Sequence, residues 1–482
     1  MVPDDVPAAY RPLYDELAGN LLSLTAGVPL VADVHSPQSW PQLNNASDHA
    51  ALPFGEYALD FIKNEIHQHV GWGSTGVCIH ICCPGLDPTF YAGGEEDPAL
   101  LRNRDVWQQA IDYAHSCGLS VMIEGDVTLG EQDSWRAWLS RLSWTEYVES
   151  RARHAAAVAA LGPDWISVLC EPDSEQTSVG QPVATIERAM SLVDTVGASV
   201  RAANPAVKVA AGCGTWMPDY TGPHSWVAAL LETAVDAIDF HVYPCYTPRG
   251  QQTSMVARVY DLIAAVSGTK QIVSTELWMN KQGVSDAGVE FATIEARNPF
   301  TFWYALDAQF LATMQALQRK TPNFVAICPS YPMEYQTALP LSYLDRPAAE
   351  VAAALSAAYG DACQMGAISP LGQDMATVFS PPDVLPPPLA SLGVVARDRT
   401  SATLAWTWAL PQQRQLCVNL FRDGHIVYRG AGRPGWLFSY RDTGLTRGTT
   451  YVYTATANDP WANTSPSVSC TVTIERSHRD VV

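Results

Sequence analysis

The 482-residue sequence is poor in charged side chains, and positive charge is the scarcer kind. Only 16% of the residues are charged, and 49 Asp and Glu residues against 29 Lys and Arg residues give a formal net charge of -20. A surface that follows a phosphate backbone would have to form against this negative field. We therefore expect no nucleic acid among the partners of the protein.

Long apolar runs and paired cysteine motifs are also missing. The longest apolar stretches, such as residues 154–162, are much shorter than the roughly 20 residues that a membrane helix needs. The 11 cysteines include no CxxC pair, which argues against a zinc knuckle and favours buried free thiols over a disulfide-built fold. We therefore expect no membrane span, no metal and no cofactor.

The sequence does contain a regular alternation of apolar runs with amphipathic, helix-like stretches from residue 29 to about residue 360. Prolines close several of the helix-like stretches, as at Asn204-Pro205 and Thr321-Pro322. Eight nearly continuous apolar runs of this kind are typical of a closed parallel (β/α)8 barrel, the TIM barrel. The eight runs are residues 29–36, 76–83, 119–126, 164–171, 207–216, 236–244, 270–278 and 324–331.

A Pro-rich segment ends this pattern, and a different pattern follows it. We predict a barrel domain over residues 1–365, a linker over residues 366–385 and an all-β domain over residues 386–482. In the last domain, short alternating runs are separated by turn residues such as Asp423-Gly424. The pattern predicts an antiparallel sandwich of seven short strands, with an immunoglobulin-like fold.

Several polar and aromatic residues close the predicted barrel strands, where the active site of such a barrel lies. Glu171 ends the fourth run and Glu276 the seventh, so the two carboxyl groups face each other across the barrel mouth. Glycosidic bonds are cleaved by one carboxyl group that is protonated and one that is ionised. This pair therefore predicts glycoside cleavage. The candidates for binding the sugar are His35, His80, Glu124, Trp216, His241, Tyr243, Trp278 and Tyr331.

Glu124 and Asp126 allow a second interpretation. Both follow the third run, close to where the catalytic glutamates are expected. Instead of contacting the sugar, they would serve the structure or raise the pKa of a catalytic glutamate through like-charge repulsion. The sequence leaves both roles open.

Three short motifs at the strand ends, CEPD around Glu171, HVYP from His241 and TELW around Glu276, resemble clan A of the retaining glycoside hydrolases. The clan includes cellulases, mannanases and β-galactosidases, and the resemblance covers the whole barrel. It implies that Glu171 is the acid/base and Glu276 the nucleophile. It also implies that Tyr243 hydrogen-bonds the nucleophile, that His241 lines the sugar site, and that a β-linked polysaccharide or oligosaccharide is cleaved with retention.

Two positions depart from the pattern of the clan. The residue before the acid/base is usually an Asn that contacts the sugar 2-hydroxyl, and here it is Cys170, whose thiol is a poor hydrogen-bonding group. The usual Trp at the end of the eighth strand is also absent, which leaves Tyr331 or Trp303 as the aromatic platform. These departures leave the sugar, the linkage and the subfamily open.

Two other functions remain as alternatives. Asp33 and His35, with Glu171 and His241, imitate the ligand set of a metal-dependent amidohydrolase, although the fifth run offers no His and the eighth no Asp. In the other alternative the barrel binds carbohydrate without cleaving it, and Cys170 marks the loss of activity.

The C-terminal domain carries a resemblance of its own. Trp406 in an early strand and the segment LTRGTTY, residues 445–451, resemble the core tryptophan and the tyrosine corner of a fibronectin type III module. Such modules, joined by Pro-rich linkers, are frequent in secreted bacterial enzymes that degrade polysaccharides. We therefore expect an extracellular protein, even though the first ten residues carry no basic and apolar leader.

Overall fold

A computed structural model gives the architecture of most of the chain. Two compact units are present: one contains the parallel barrel, and the other contains antiparallel sheets together with a helix from the N-terminal region. The structure describes residues 5–8, 10–47, 58–127, 133–244, 252–279, 300–330, 333–365, 368–379, 389–408, 416–432, 438–459 and 463–475.

Eight parallel strands form a single sheet in which each strand pairs with the next along the chain. Trp40, just before the first strand, donates its backbone N–H to the carbonyl oxygen of Ile327 in the eighth at 2.8 Å, and this pairing closes the ring. The predicted (β/α)8 barrel is therefore confirmed. The strands are Gln42–Ser47 (β1), Gly76–His80 (β2), Ser120–Glu124 (β3), Trp165–Ser167 (β4), Lys208–Gly214 (β5), Ala237–Val242 (β6), Gln271–Leu277 (β7) and Phe324–Pro329 (β8).

The first strand is not where the apolar pattern placed it. Residues 29–36 form no strand, and Val31 and Val34 are 53% and 51% exposed. β1 instead has the polar sequence QLNNAS. The prediction for this strand was wrong because a strand that presents the amide of Gln42 inside the barrel has a weak apolar signature, whereas an exposed coil can carry a strong one.

The helices cover the outside of the barrel, as the repeating βα pattern requires. One of them, at Pro370–Phe379, lies inside the predicted linker of residues 366–385 and packs on another barrel helix, so the barrel unit extends further along the chain. The helices of this unit are Ala58–Gly71 (α2), Pro98–Ser116 (α3), Asp133–Leu139 (α4), Trp144–Ala160 (α5), Pro172–Val179 (α6), Ile186–Ala203 (α7), Trp226–Glu232 (α8), Gln252–Val266 (α9), Tyr304–Lys320 (α10), Met333–Gln336 (α11), Ala348–Met365 (α12) and Pro370–Phe379 (α13).

Among its described residues, the second unit contains seven antiparallel strands in two sheets, of three strands in the order β13-β10-β9 and four in the order β12-β11-β14-β15. The strands are Leu389–Arg397 (β9), Ser401–Trp408 (β10), Leu416–Arg422 (β11), His425–Gly432 (β12), Phe438–Thr443 (β13), Thr450–Asn458 (β14) and Val468–Thr473 (β15). Side chains of both sheets, including the fully buried Trp406 and Tyr453, share one core. The predicted number of strands and the two-sheet arrangement are thus observed.

A tight turn connects two neighbouring strands of this unit. Asp423 and Gly424 connect β11 to β12 with φ values of 48° and 82°, the positive values that a tight hairpin turn demands. Helix α1, Arg11–Gly27, groups with these sheets, although the sequence placed it in the barrel domain.

In the described part of the chain, no helix combines the length and the apolar character needed to cross a membrane.

Candidate active site

The carboxyl ends of the barrel strands bring five titratable side chains into one buried cluster. Backbone pairing places these ends side by side: His80 on β2 pairs with Glu124 on β3, and His241 on β6 pairs with Glu276 on β7. Glu171 follows β4 at the N-cap position of α6. The structure therefore brings together both predicted catalytic residues and three of the predicted binding residues.

Glu171 is held by two hydrogen bonds. Its Oε1 lies 2.8 Å from Nδ1 of His241 and accepts the Tyr243 hydroxyl at 2.9 Å. The resemblance had implied a hydrogen bond from Tyr243 to Glu276 instead. Burial raises the pKa of Glu171, but the hydrogen bonds from His241 and Tyr243 outweigh it and leave the pKa below its ordinary value.

Glu276 has a different environment although it lies close by. Its Oε2 is 3.6 Å from Nδ1 of His241, and its side chain keeps 20% of its surface exposed. Burial raises the pKa of Glu276 to about 7. One carboxyl oxygen of Glu276 and one of Glu171 lie within 4.8 Å of each other. A short separation of this kind is typical of the carboxyl pair in retaining glycosidases, whose two groups are about 5 to 5.5 Å apart, and not of the wider inverting pair.

A hydrogen-bonded chain fixes the orientation of the His241 ring. Nε2 of His241 is 2.9 Å from the Thr275 hydroxyl, which donates to Asp239 Oδ2 at 2.5 Å. Because the Thr275 hydroxyl donates its proton to Asp239, its oxygen is left to accept a hydrogen bond from His241. Nε2 of His241 therefore carries a proton. Burial lowers the pKa of His241, but its hydrogen bond to Glu171 and the nearby carboxylates raise it well above its ordinary value.

The sequence analysis missed Asp239 and Thr275. Asp239 is 1% exposed and also accepts hydrogen bonds from the Ser167 hydroxyl and the Thr275 backbone N–H. A usable signal was present, because Asp239 precedes His241 by two residues and alternate residues of a strand face the same side. Cys170 joins this network by donating its thiol to Ser167 Oγ at 3.3 Å, and its Sγ lies within 4.8 Å of a carboxyl oxygen of Glu124 and a ring nitrogen of His241.

Three aromatic side chains pack beside Glu171. Trp216 stacks on Tyr243 with ring centroids 5.1 Å apart, and Tyr243 meets Trp278 edge to face at 5.9 Å. Trp216 lies so close to Gly214 that a Cβ there would come within 2.3 Å of the indole, and its Nε1 donates to Asp173 at 2.8 Å. Tyr243 thus covers one face of the Trp216 ring. The predicted stacking of a sugar on Trp216 is therefore restricted to the part of the ring that Tyr243 leaves uncovered.

His35 lies at the opposite end of the barrel from the glutamates. Its Nε2 is 2.7 Å from the backbone oxygen of Pro322, which precedes β8, while Asp33 pairs with Arg319 and Lys320. The predicted sugar contact of His35 is therefore wrong, and so is the ligand set that combined Asp33 and His35 with residues of the barrel mouth. Both errors follow from the misplaced first strand. A cavity of about 460 Å³ at this end is lined in part by His35.

The two proposed aromatic platforms have different outcomes. Tyr331 lies outside the described residues. Trp303 is 1% exposed and belongs to a short 3-10 turn before α10, so its ring is part of the core. A side chain buried to this degree has no free face for a sugar.

Three triplets of side chains bring possible metal-binding atoms within 4.8 Å of one another in the described part of the chain: Cys78 with His80 and Glu124, Glu124 with Cys170 and His241, and Glu171 with His241 and Glu276. The imidazole–carboxylate contacts in them, 2.9 Å for His80–Glu124 and 2.8 Å for His241–Glu171, are hydrogen-bond distances. These bonds use the lone pairs that a metal ion would need, and we assign no metal site.

Comparisons with known proteins give limited similarity. No family model matches the sequence. A stretch of 84 residues is 39% identical to Exoglucanase B of Cellulomonas fimi, and this match covers 17% of the chain but only 7% of that enzyme.

Solved structures resemble the chain at low sequence identity. A glycoside hydrolase family 5 enzyme from Prevotella bryantii B14 is 14% identical, with a TM-score of 0.42 over 70% of this chain and 97% of that one. An endo-1,4-beta-mannanase from Eisenia fetida is 13% identical, with a TM-score of 0.39 over 66% and 90% of the two chains. A beta-glucuronidase from Bacteroides uniformis is 10% identical, with a TM-score of 0.40 over 92% and 46%.

Proposed function

We propose that the protein is a glycoside hydrolase that cleaves β-linked polysaccharides or oligosaccharides with retention of configuration. The observation that carries this proposal is the pair Glu171 and Glu276 at the carboxyl end of the barrel, the first buried and the second half-buried, with oxygens within 4.8 Å of each other. Their environments move their pKa values in opposite directions. Two carboxyl groups this close are what double displacement at a glycosidic carbon requires. The raised pKa belongs to Glu276 and the lowered one to Glu171, so Glu171 can serve as the acid only with a proton from a neighbouring group.

In this mechanism Glu276 attacks the anomeric carbon, and Glu171 protonates the leaving oxygen. Glu171 accepts hydrogen bonds as a carboxylate in the ligand-free site, so it needs a proton source. His241 supplies one, because Nδ1 is 2.8 Å from Glu171 Oε1 and the Thr275–Asp239 chain retains the proton on Nε2 when Nδ1 releases its own. In the second step Glu171, with its proton transferred to the leaving group, acts as the base for water.

A substrate screen of the full-length protein tests the activity. We expect hydrolysis of some members of a panel of aryl β-glycosides, β-glucans and β-mannans, with the product released as the β-anomer when followed by proton NMR. The Glu276→Gln variant serves as the matched control, because it keeps the side-chain shape without the nucleophilic carboxylate. Binding without turnover would favour the non-catalytic barrel, and an α-anomer product would exclude double displacement.

The pH dependence of kcat/KM separates the roles of the two glutamates. Burial raises the pKa of Glu276 to about 7. If Glu276 must be ionised to attack, kcat/KM should rise as the pH increases through about 7. A profile that falls through this range would mean that Glu276 acts as the acid and Glu171 as the nucleophile.

We also infer that the second unit is a fibronectin type III module that serves as a spacer or stabiliser in an extracellular protein. The three-plus-four strand order supports this assignment. So does Tyr451, whose hydroxyl accepts the backbone N–H of Thr446 at 2.9 Å, the contact of a tyrosine corner. The catalytic pair and all its hydrogen-bond partners named above belong to the barrel unit, so this module is not needed to complete the site.

A further inference from the structure

Three carboxyl groups surround the single imidazole of His241. Glu171 Oε1 and Glu276 Oε2 lie 2.8 Å and 3.6 Å from Nδ1, and Glu124 Oε1 lies 3.8 Å from Nε2. One imidazolium can balance only part of this negative charge. Arg151, a buried guanidinium whose charge acts on the neighbouring Asp126, is already paired with Glu175 at 2.6 Å.

Uncompensated carboxylates are expensive to bury, so at least one of the three groups must keep its proton. Glu171 accepts hydrogen bonds from Tyr243 and His241, which stabilise its ionised form. Glu276 retains 20% side-chain exposure, whereas Glu124 retains 4%. Glu124 has the least access to water, and its 3.8 Å contact with the imidazolium of His241 is the longest of the three.

The contacts of Glu124 suit a neutral carboxylic acid. Its Oε2 lies 2.9 Å from Nε2 of His80 and accepts Nε2 of Gln42 at 3.2 Å. A protonated Oε2 can donate to the imidazole nitrogen while its remaining lone pair accepts the amide. The buried imidazole of His80 then needs no charge of its own.

We propose that Glu124 is held as the neutral carboxylic acid and donates its proton to His80, so that the active site stores one proton beside its catalytic pair. Glu124 is thus a positioning residue, which acts through His80 and His241 and does not touch the reacting atoms. With Glu124 neutral, the imidazolium of His241 has only the charges of Glu171 and Glu276 to balance. The inference relies on the proposed function only in calling that pair catalytic.

The electrostatics of the surrounding elements agree with this assignment. Burial raises the pKa of Glu124 to about 8, against the lowering effect of His241. Burial lowers the pKa of His80 to about 4, so that its ring is neutral. In the described part of the chain, the titratable groups that face Glu124 are Cys78 and His80 from β2, Asp126 after β3, Cys170 and Glu171 after β4, Asp239 and His241 from β6, Tyr243 after β6, Glu276 from β7, and Cys328 from β8.

Thermal unfolding as a function of pH tests the proposal on the full-length protein. A carboxyl group with a pKa of about 8 when folded and 4.5 when unfolded destabilises the folded state progressively as the pH rises between these values. Glu124→Gln removes this penalty and keeps the shape. The Tm of the variant minus that of the wild type should therefore increase by at least a few degrees from about pH 5 to about pH 8.5.

Two further variants and one spectrum complete the design. Glu149→Gln, at a side chain that is 62% exposed, controls for the loss of any carboxyl group and should show no such trend. Glu124→Met, also neutral, should repeat the trend and replaces Glu124→Gln if that variant does not fold. An infrared difference spectrum of wild type minus Glu124→Gln at about pH 7 should contain the carbonyl band of a protonated carboxylic acid.

The opposite sign overturns the proposal. If Glu124 is ionised and paired, removing its charge leaves its partners unbalanced, and the Tm difference should fall as the pH rises. A flat difference, or an infrared difference with only carboxylate bands, would equally contradict it. These measurements need no substrate, so a protein without hydrolytic activity that still shows the rising Tm difference would reject the proposed function and retain this inference.

Discussion

Glu276→Ala should reduce hydrolysis of an aryl β-glycoside by roughly four orders of magnitude or more, because no covalent glycosyl-enzyme can form without the nucleophile. Added azide should restore turnover by entering the space that the side chain vacated. Attack from that face gives the α-glycosyl azide, the inverted product of a β-glycoside. The measurement is the rate of phenol release with and without azide, together with the NMR signal of the anomeric proton of the azide.

The stereochemistry of the azide product distinguishes the two glutamates. A β-glycosyl azide from Glu276→Ala would show that a covalent intermediate still forms, and it would transfer the role of nucleophile to Glu171. Glu149→Ala, at an exposed position of α5, provides the control for an unspecific effect of azide or of carboxyl removal. It should retain wild-type turnover with no response to azide.

The barrel and the meeting of Glu171 with Glu276 could be predicted because their signals are local. Seven of the eight strands have apolar runs. Glu171 follows β4 and Glu276 lies near the end of β7, so topology alone places both at one edge of the barrel. Since all parallel strands point the same way, a polar residue that closes a strand is placed in the site without any knowledge of packing. The same rule located His80, Glu124 and His241 correctly in the cluster.

The rule failed where the strand itself was misplaced. β1 carries Gln42, whose amide donates to both Glu124 and the backbone oxygen of Thr275, so this strand is polar because of the site it serves. Hydrophobic periodicity cannot detect such a strand. The apolar run before it, residues 29–36, was assigned as the first strand instead. His35 was therefore predicted at the wrong end of the barrel.

Interactions between distant residues were beyond the reach of the sequence. The chain from Asp239 through Thr275 to His241 depends on the register of β6 and β7, and their pairing is irregular between Asp239 and His241. The hydrogen bond from Tyr243 to Glu171 depends likewise on how Trp216 packs over Gly214. Residue type and spacing identify the participants of such a network, but side-chain packing decides which pairs of them meet.

Glu171→Ala should affect substrates according to how well their leaving groups depart. The general acid contributes roughly 10² to 10⁴ to the rate when the leaving oxygen is basic, and little when it departs without protonation. The variant should therefore lose nearly all activity on a disaccharide and keep a measurable first step on a dinitrophenyl β-glycoside. The plot of log(kcat/KM) against the pKa of the leaving group should become steeper than in the wild type.

The second half of the reaction provides an independent test of the same residue. Without Glu171 no base activates water, so the glycosyl-enzyme on Glu276 should accumulate, visible as a burst of phenol release and as an intact-mass increase of one glycosyl unit. Azide needs no base, and it should therefore speed turnover and give the β-glycosyl azide, opposite in configuration to the product from Glu276→Ala. Because His241 delivers its proton only through Glu171, a Glu171→Ala variant that retained wild-type rates on disaccharides would show that another acid protonates the leaving oxygen. In that case the 2.8 Å contact between His241 and Glu171 would have an orienting role only.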